Sequence, residues 1–73
     1  MKREWLVKAR KEKGMTQAAV AKAIGVAAVT YNRYEAGART PSPAVATAIG
    51  SALNIPREKF FFLALNYQNG NLT

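Results

Sequence analysis

Two short segments that join at Gly25 constrain the fold of this 73-residue chain more than any other feature. The first segment follows Thr16, whose hydroxyl fits a helix N-cap, and it ends at Gly25. Its buried stripe is predicted to contain Val20, Ala21 and Ile24. Glycine readily adopts the positive φ that a sharp turn demands, and the small Ala21 permits a close helix crossing. The sequence therefore predicts a tight corner between two short helices.

The second of these helices is predicted to run from about Ala27 to Ala36 and to stop at Gly37. At about 100° per residue, its inward side contains Ala27, Thr30, Tyr31 and Tyr34. Its outer side contains Ala28, Val29, Asn32 and Arg33. A solvated face more often carries Glu and Lys, whereas small apolar groups suit thymine methyls, Asn suits adenine and Arg suits guanine or phosphate. This layout is that of a helix-turn-helix and favours DNA, the alternative being that Ala28 and Val29 only fill the helix.

The charge of the chain favours acidic partners. Eleven Lys and Arg residues against four Glu residues give a net charge of +7, and the pI is near 10.3. Nucleic acid and anionic membrane are the two classes of partner that such a charge suits. The basic start is not followed by an apolar segment, and the longest strongly apolar run is residues 60–65, so we expect neither a signal peptide nor a membrane span. With no Cys for disulfides, we expect one small cytoplasmic domain.

Most residue types that catalysis and metal binding need are missing. The chain has no His, Cys or Asp, and its four Glu residues are scattered, so acid–base pairs, nucleophilic triads and metal cages lack parts. Nothing in the sequence places a Lys or Tyr nucleophile beside an activating group. We therefore expect a protein that is not an enzyme and that uses no metal, cofactor or small-molecule ligand.

Three further helices are predicted around the two-helix corner. The first helix of the chain should run from about Lys2 to Lys13 and end at Gly14. The fourth should run from about Pro43 to Leu53, and the fifth from Pro56 to about Phe61, because proline is tolerated in the first turn of a helix. Trp5 is expected to shield one end of the first helix. The fourth helix is interpreted as scaffold.

Two groups of basic and polar residues lie outside the corner. The loop from Ala38 to Pro43 contains Arg39 and Thr40, which suit phosphate contacts, although solvated loops also carry such residues. The first helix carries a basic cluster of Lys2, Arg3, Lys8, Lys11 and Lys13. A solvated face is the ordinary interpretation of such a cluster, and the alternative is non-specific binding of a membrane surface or another polyanion.

A set of residues between about positions 6 and 61 resembles a known family. The set contains Arg10, Gly14-Met15-Thr16-Gln17, Ala21, Ile24-Gly25-Val26, Tyr34-Glu35, Gly37, Arg39, Thr40-Pro41, Ile49, Ala52-Leu53 and Ile55. It resembles the phage repressor and Cro type of helix-turn-helix domain. The resemblance implies an all-α, five-helix, lambda-repressor-like fold and a DNA-binding regulator of phage or bacterial origin.

The resemblance also implies roles for single residues. Gln17 matches a position that typically contacts phosphate and can brace a side chain that reads bases. Arg10 and Glu35 match a pair that commonly forms an internal salt bridge. The family reads bases from the positions that here hold Ala27, Ala28, Val29, Asn32 and Arg33. Because two of these are alanines, direct readout should rest on the other three, with DNA shape adding to specificity.

Residues 62–73 are predicted to form a tail beyond the DNA-binding domain of residues 1–61. From the end of the DNA-binding domain onward, every second residue is apolar, as on one face of a short β-strand. These residues are Phe61, Leu63, Leu65 and Tyr67. A lone strand is most economically paired with the same strand of a second copy, which predicts a homodimer. The alternatives are a longer fifth helix and a frayed end. The strand and the longer helix would each expose apolar surface that a dimer covers.

These features together predict a dimeric transcriptional regulator that places two helices in successive major grooves of an operator with approximate two-fold symmetry. We expect repression, because no additional activation surface is visible in the sequence. The alternative on the same fold is a protein-interaction module or antitoxin, which would bind a partner protein tightly and show no sequence preference on DNA.

Overall fold

The computed structural model describes residues 1–61, which form four α-helices and one 3-10 helix. The elements follow in the order α1 (Glu4–Glu12), α2 (Gln17–Ile24), α3 (Ala28–Ala36), α4 (Pro43–Leu53) and the 3-10 helix (Arg57–Phe61). Helix α2 packs against α3 and α4, α1 packs against α3, and the 3-10 helix packs against α4. Residues 1–61 contain no β-strand, and none of their helices has the length and apolarity to cross a membrane.

The corner between α2 and α3 has the capping groups that the sequence predicts. The hydroxyl oxygen of Thr16 accepts a hydrogen bond of 3.0 Å from the backbone N–H three residues later. After α2, Gly25 has a φ of 78° and donates its N–H to the carbonyl of Lys22, while the N–H of Val26 donates to Ala21. The last two bonds form a Schellman motif, which satisfies carbonyls that a helix end leaves unpaired. The predicted tight corner is therefore confirmed.

The other three α-helices end in the same manner. Gly14, Gly37 and Asn54 follow α1, α3 and α4 with φ values of 68°, 77° and 58°. After each of them, the next backbone N–H donates to a carbonyl five residues earlier. Each ending stops its helix and changes the direction of the chain within a few residues, which allows such short helices to pack around one core.

Helix α1 begins later than predicted. It starts at Glu4 instead of Lys2, because the N–H of Arg3 donates to the carbonyl oxygen of Glu35 at 2.7 Å and so draws the first residues against the end of α3. It ends at Glu12, one residue before the predicted end. The first three residues therefore form an arm along α3 instead of a helical turn.

The predicted inward position of Ala27 is wrong. Ala27 is the N-cap of α3, with the extended conformation of φ −68° and ψ 147°, and it is exposed. Its carbonyl accepts the first hydrogen bonds of α3, from the N–H groups of Thr30 and Tyr31. The predicted inward face is therefore made by Tyr31 and Tyr34, which are buried, with Thr30 half-buried at its edge.

The fifth predicted helix is a 3-10 helix instead of an α-helix. The N–H of Lys59 donates to the carbonyl of Pro56 at 3.1 Å, which is the three-residue spacing of a 3-10 turn. Phe61 ends this element half-buried against the core, so the predicted strand does not begin at Phe61. The remaining residues assigned to the strand, Leu63, Leu65 and Tyr67, lie outside the described residues, as does the rest of 62–73.

The core lies where the four α-helices meet. Its largest fully buried side chains are Tyr31, Leu6, Ile49 and Val20. At one end, the ring of Trp5 meets the ring of Phe60 edge-on, with 5.0 Å between centroids. This contact joins α1 to the 3-10 helix, so both ends of the described chain support the frame that holds α2 and α3.

Substitution of Gly37 should destabilise the protein more than substitution of Gly14. Both residues have positive φ, but the space around Gly14 is open, whereas a Cβ atom on Gly37 would overlap the backbone carbonyl of Met1. We expect Gly14→Ala to lower the free energy of unfolding by about 1 kcal/mol through backbone strain. Gly37→Ala should lower it further because it also displaces the arm. Denaturant unfolding measures both values, and equal losses would contradict the packing of Met1 on Gly37.

Candidate nucleic-acid interface

The outer face of α3 is exposed and almost uncharged. Ala28, Val29, Asn32 and Arg33 all lie in solvent, where their helical spacing predicts them, and Arg33 is the one charged residue of these four. Val29 is 59% exposed, so its apolar side chain contributes little to the core. A helix face of this composition can meet base edges in the major groove, because a thymine methyl offers Val29 an apolar contact.

Asn32 is held in place by Gln17, the first residue of α2. The Nδ2 atom of Asn32 donates to Oε1 of Gln17 at 3.1 Å. This bond uses one N–H of the Asn32 amide, and no other hydrogen bond of this side chain occurs within residues 1–61. Its second N–H and its Oδ1 atom together match the acceptor and donor of an adenine edge. Gln17 therefore orients a side chain of the candidate base-reading face.

Gln17 is in turn held by the carboxylate of Glu35, a buried residue of α3. Its Nε2 atom donates to Oε1 of Glu35 at 2.8 Å. Arg10 approaches the same carboxylate from α1, with Nε 2.6 Å from Oε2 and Nη2 3.3 Å from Oε1. The Nη1 atom of Arg10 also donates to the carbonyl of Met15 at 2.9 Å. The residues that the resemblance pairs thus form a forked ion pair, with exposed side-chain fractions of 12% for Arg10 and 3% for Glu35.

The pKa values of this pair follow from its burial and its hydrogen bonds. Burial by itself raises the pKa of the Glu35 carboxyl, but the hydrogen bonds from Arg10 and Gln17 outweigh it and leave that pKa below its usual value. The hydrogen bond to Glu35 raises the pKa of Arg10. Both groups are therefore charged at neutral pH.

The Tyr31 hydroxyl lies buried beside this pair. Its oxygen has no hydrogen-bond partner among the described residues. Burial raises the pKa of Tyr31 strongly, and the nearby Glu35 carboxylate adds to the effect, so the hydroxyl is neutral. Tyr31 is therefore a neutral core residue of α3, packed beside the Arg10–Glu35 pair.

The loop after α3 is held by a residue that sequence reasoning placed elsewhere. Arg39 and Thr40 are exposed, as a phosphate-contacting loop requires. Arg3 reaches this loop from the N-terminal arm, where its Nη2 atom donates to Oγ1 of Thr40 at 3.0 Å. The sequence places Arg3 in a basic cluster whose ordinary interpretation is a solvated face, but Arg3 is half-buried. No local pattern reveals its role, because its partner lies 37 residues away in sequence.

Two lysines of the basic cluster lie on one side of the Gln17 and Asn32 pair. An open cleft of about 410 Å³ lies beside the pair and is also lined by Lys2 and Lys11 of the basic cluster. Lys22, in the last turn of α2, is exposed as well. Within residues 1–61, no group of three His, Cys, Asp or Glu side chains is placed to hold a metal ion. The geometry and the charge both suit a nucleic acid, which offers negative phosphates and base edges with hydrogen-bonding groups.

Two helices that meet at a glycine corner, with an exposed polar face on the second, define a helix-turn-helix protein. A family model described as "Helix-turn-helix" matches residues 6–60. The chain also resembles a protein of Bacillus subtilis (strain 168) described as "Uncharacterized HTH-type transcriptional regulator YqaF". The two are 44% identical over 61 residues, which cover 84% of this chain and 80% of that relative. The chain belongs to the helix-turn-helix family, and the family resemblance seen in its sequence is confirmed.

The depressed pKa of Glu35 predicts a loss of stability in acid. A carboxyl whose pKa is lower in the folded state adds stability above its unfolded pKa of about 4.3, and this stability is lost as pH falls through the folded value. Wild-type protein should therefore lose free energy of unfolding below about pH 4.3. Glu35→Gln should lose less over that range, and at neutral pH it should be about 3 kcal/mol less stable because Arg10 is left buried and unpaired.

Urea denaturation at a series of pH values measures both effects. Glu12→Gln is the matched control, because Glu12 is exposed on α1 and its substitution should change stability by less than about 0.5 kcal/mol. A Glu35→Gln variant with the full acid dependence of the wild-type protein would contradict the assignment.

Proposed function

We propose that this protein is a DNA-binding transcriptional regulator that reads double-stranded DNA with α3 in the major groove. The observation that carries the proposal is the orientation of Asn32 by Gln17 on an exposed face that also carries Arg33. A fixed orientation has little value for an exposed side chain unless that side chain binds a partner. The family membership of the chain and the printed name of its relative, a transcriptional regulator, support the same conclusion.

Each residue of the outer face takes a defined part in this proposal. Asn32 pairs with adenine through its second N–H and its Oδ1 atom, and Arg33 binds guanine or a phosphate. Val29 contacts a thymine methyl group. Ala27, exposed at the N-cap, and Ala28 in the first turn lie against the groove wall and allow close approach of the helix. Sequence preference is therefore concentrated at the bases that face the three larger side chains.

Phosphate contacts supply much of the affinity in this proposal. The residues that make them are Gln17, Lys22, Arg39 and Thr40. The net charge of +7 attracts DNA before the specific contacts form. The logarithm of the binding constant should fall by about 0.9 per neutralised phosphate for each tenfold rise in salt concentration.

Two copies of the chain bind together in this proposal. Phe61 lies half-buried against the core at the end of the 3-10 helix, immediately before the apolar tail in the sequence. That tail, which includes Leu63, Leu65 and Tyr67, would join the copies. A two-fold dimer would place two α3 helices about 34 Å apart on a palindromic operator. Occupancy of the operator would then repress transcription.

Selection of duplexes from a randomised DNA pool at near-physiological salt tests the proposal. We expect enrichment of a palindrome whose half-sites lie about one helical turn apart. Asn32→Ala should relax the preference at one position by about 1–3 kcal/mol. Arg33→Ala should flatten a second position if Arg33 reads guanine, and should weaken all duplexes equally if it contacts phosphate.

Arg57→Ala is the matched control for Arg33→Ala, because Arg57 is an exposed arginine on the 3-10 helix, away from α3 in the chain. It should leave the selected sequence unchanged. If the wild-type protein enriches no sequence, and its DNA binding disappears steeply as salt rises, the proposal is contradicted and a partner protein becomes the better candidate.

A further inference from the structure

We propose that Arg3 is a positioning residue that fixes the loop of residues 37–42 in the conformation that presents Arg39 and Thr40 to the DNA backbone. This inference rests on the proposed function, since it assigns those two residues to phosphate. It adds a role for the N-terminal arm, which lies outside the helix-turn-helix itself.

The Arg3 guanidinium joins the end of α3 to the loop. Its Nη1 atom donates to the carbonyl of Tyr34 at 2.6 Å and to the carbonyl of Arg39 at 3.0 Å. Its Nη2 atom donates to Oγ1 of Thr40 at 3.0 Å. The backbone N–H of Arg3 also donates to the carbonyl of Glu35 at 2.7 Å. One residue therefore binds the last turn of α3 and also the two proposed phosphate-contacting residues of the loop, Arg39 and Thr40.

The positive charge of Arg3 is stabilised by backbone carbonyl dipoles and by the aromatic ring of Phe60, and not by a carboxylate. No ion pair of Arg3 occurs among the described residues. Its partners are carbonyl groups at the C-terminal end of α3, where the helix dipole favours a cation. The centre of its guanidinium also lies 5.5 Å from the centroid of the Phe60 ring. Half-burial lowers the pKa of Arg3, but arginine stays protonated in proteins, so this anchor is present at any working pH.

The loop is held from its other side by α3. The N–H groups of Ala38 and Arg39 both donate to the carbonyl of Arg33, at 3.0 and 3.3 Å. Arg3 then captures the carbonyl of Arg39, so the peptide groups on both sides of this residue are fixed. Thr40 accepts from Arg3 through its hydroxyl oxygen, which leaves the hydroxyl hydrogen to donate to a phosphate.

Fixing the loop before DNA arrives increases affinity. A flexible loop would lose conformational entropy when its side chains met phosphate, whereas an ordered loop has lost that entropy already. Lysine cannot replace Arg3, because a single ammonium lacks the planar fork that reaches three acceptors at once. The positioning role therefore requires the shape of the guanidinium, and a positive charge near DNA is not sufficient for it.

A double-mutant cycle tests the proposal by fluorescence anisotropy with a duplex selected by the wild-type protein. We expect Arg3→Gln to weaken binding about tenfold, the size typical of lost hydrogen bonds to a charged group. Arg3→Lys should weaken it nearly as much. In an R39A/T40V background, where the loop contacts are already absent, Arg3→Gln should change affinity by less than about twofold.

Two controls define what would overturn this result. Arg57→Gln removes the same charge from a side chain that donates to Thr47 instead of the loop, and it should leave affinity nearly unchanged. An equal loss from Arg57→Gln would mean that net charge alone matters. An equal loss from Arg3→Gln in both backgrounds would mean that Arg3 contacts phosphate directly. Either result overturns the positioning role.

Amide hydrogen exchange without DNA separates this inference from the proposed function. Arg3→Gln should speed exchange at Ala38 and Arg39 about tenfold, because their bonds to Arg33 open more often when the loop is released. Exchange at Ala21 and Lys22 in α2 should stay unchanged, which shows that the variant is folded. Unchanged exchange in the loop would overturn the positioning role of Arg3. Failure of the wild-type protein to bind any duplex would instead overturn the proposed DNA-binding function.

Discussion

The Glu35 carboxylate is the group on which the arrangement of the three N-terminal helices depends. It lies on α3 and accepts hydrogen bonds from Arg10 of α1 and from Gln17 of α2. A buried ion pair gains little net free energy, because the loss of hydration offsets most of the attraction. Its directional bonds are satisfied in the observed placement of the three helices, and a displacement of α1 or α2 would leave buried polar groups without partners.

The same carboxylate connects the core to the surface that we assign to DNA. The hydrogen bonds run from Arg10 through Glu35 and Gln17 to Asn32, so a buried cation on α1 helps to orient an exposed amide on α3. Arg3 makes a second connection, from the N-terminal arm to the loop after α3. Helix α3 is thus supported at its outer face and at its C-terminal end, and both supports begin near α1.

Much of this structure can be predicted from local sequence because its signals are local. Thr16, Gly25 and Gly37 each act on a backbone segment within a few residues, so the corner and the ends of α2 and α3 follow from residue type. The periodicity of α3 likewise predicts which side chains face solvent. The Gln17–Asn32 bond agrees with the bracing role that family resemblance implies, although composition and spacing alone do not reveal it.

The features that sequence reasoning missed depend on distant partners. Helix α1 starts late because Arg3 binds residues 31 to 37 positions away, and no local pattern records those contacts. The last element is a 3-10 helix that packs on α4 and Trp5, which its own five residues do not specify. Ala27 has a side chain small enough for either the inward face or an N-cap, so only the turn geometry decides its place.

In the function proposed above, DNA contacts the face formed by α3, the start of α2 and the loop after α3. A titration of ¹⁵N-labelled protein with duplex DNA, followed by NMR, tests it most directly. We expect saturable shifts of the side-chain amide signals of Gln17 and Asn32 and of the backbone signals of residues 28–33 and 38–40. Unchanged signals of Gln17 and Asn32, with shifts confined to the lysines of α1 and their neighbours, would contradict this placement of DNA.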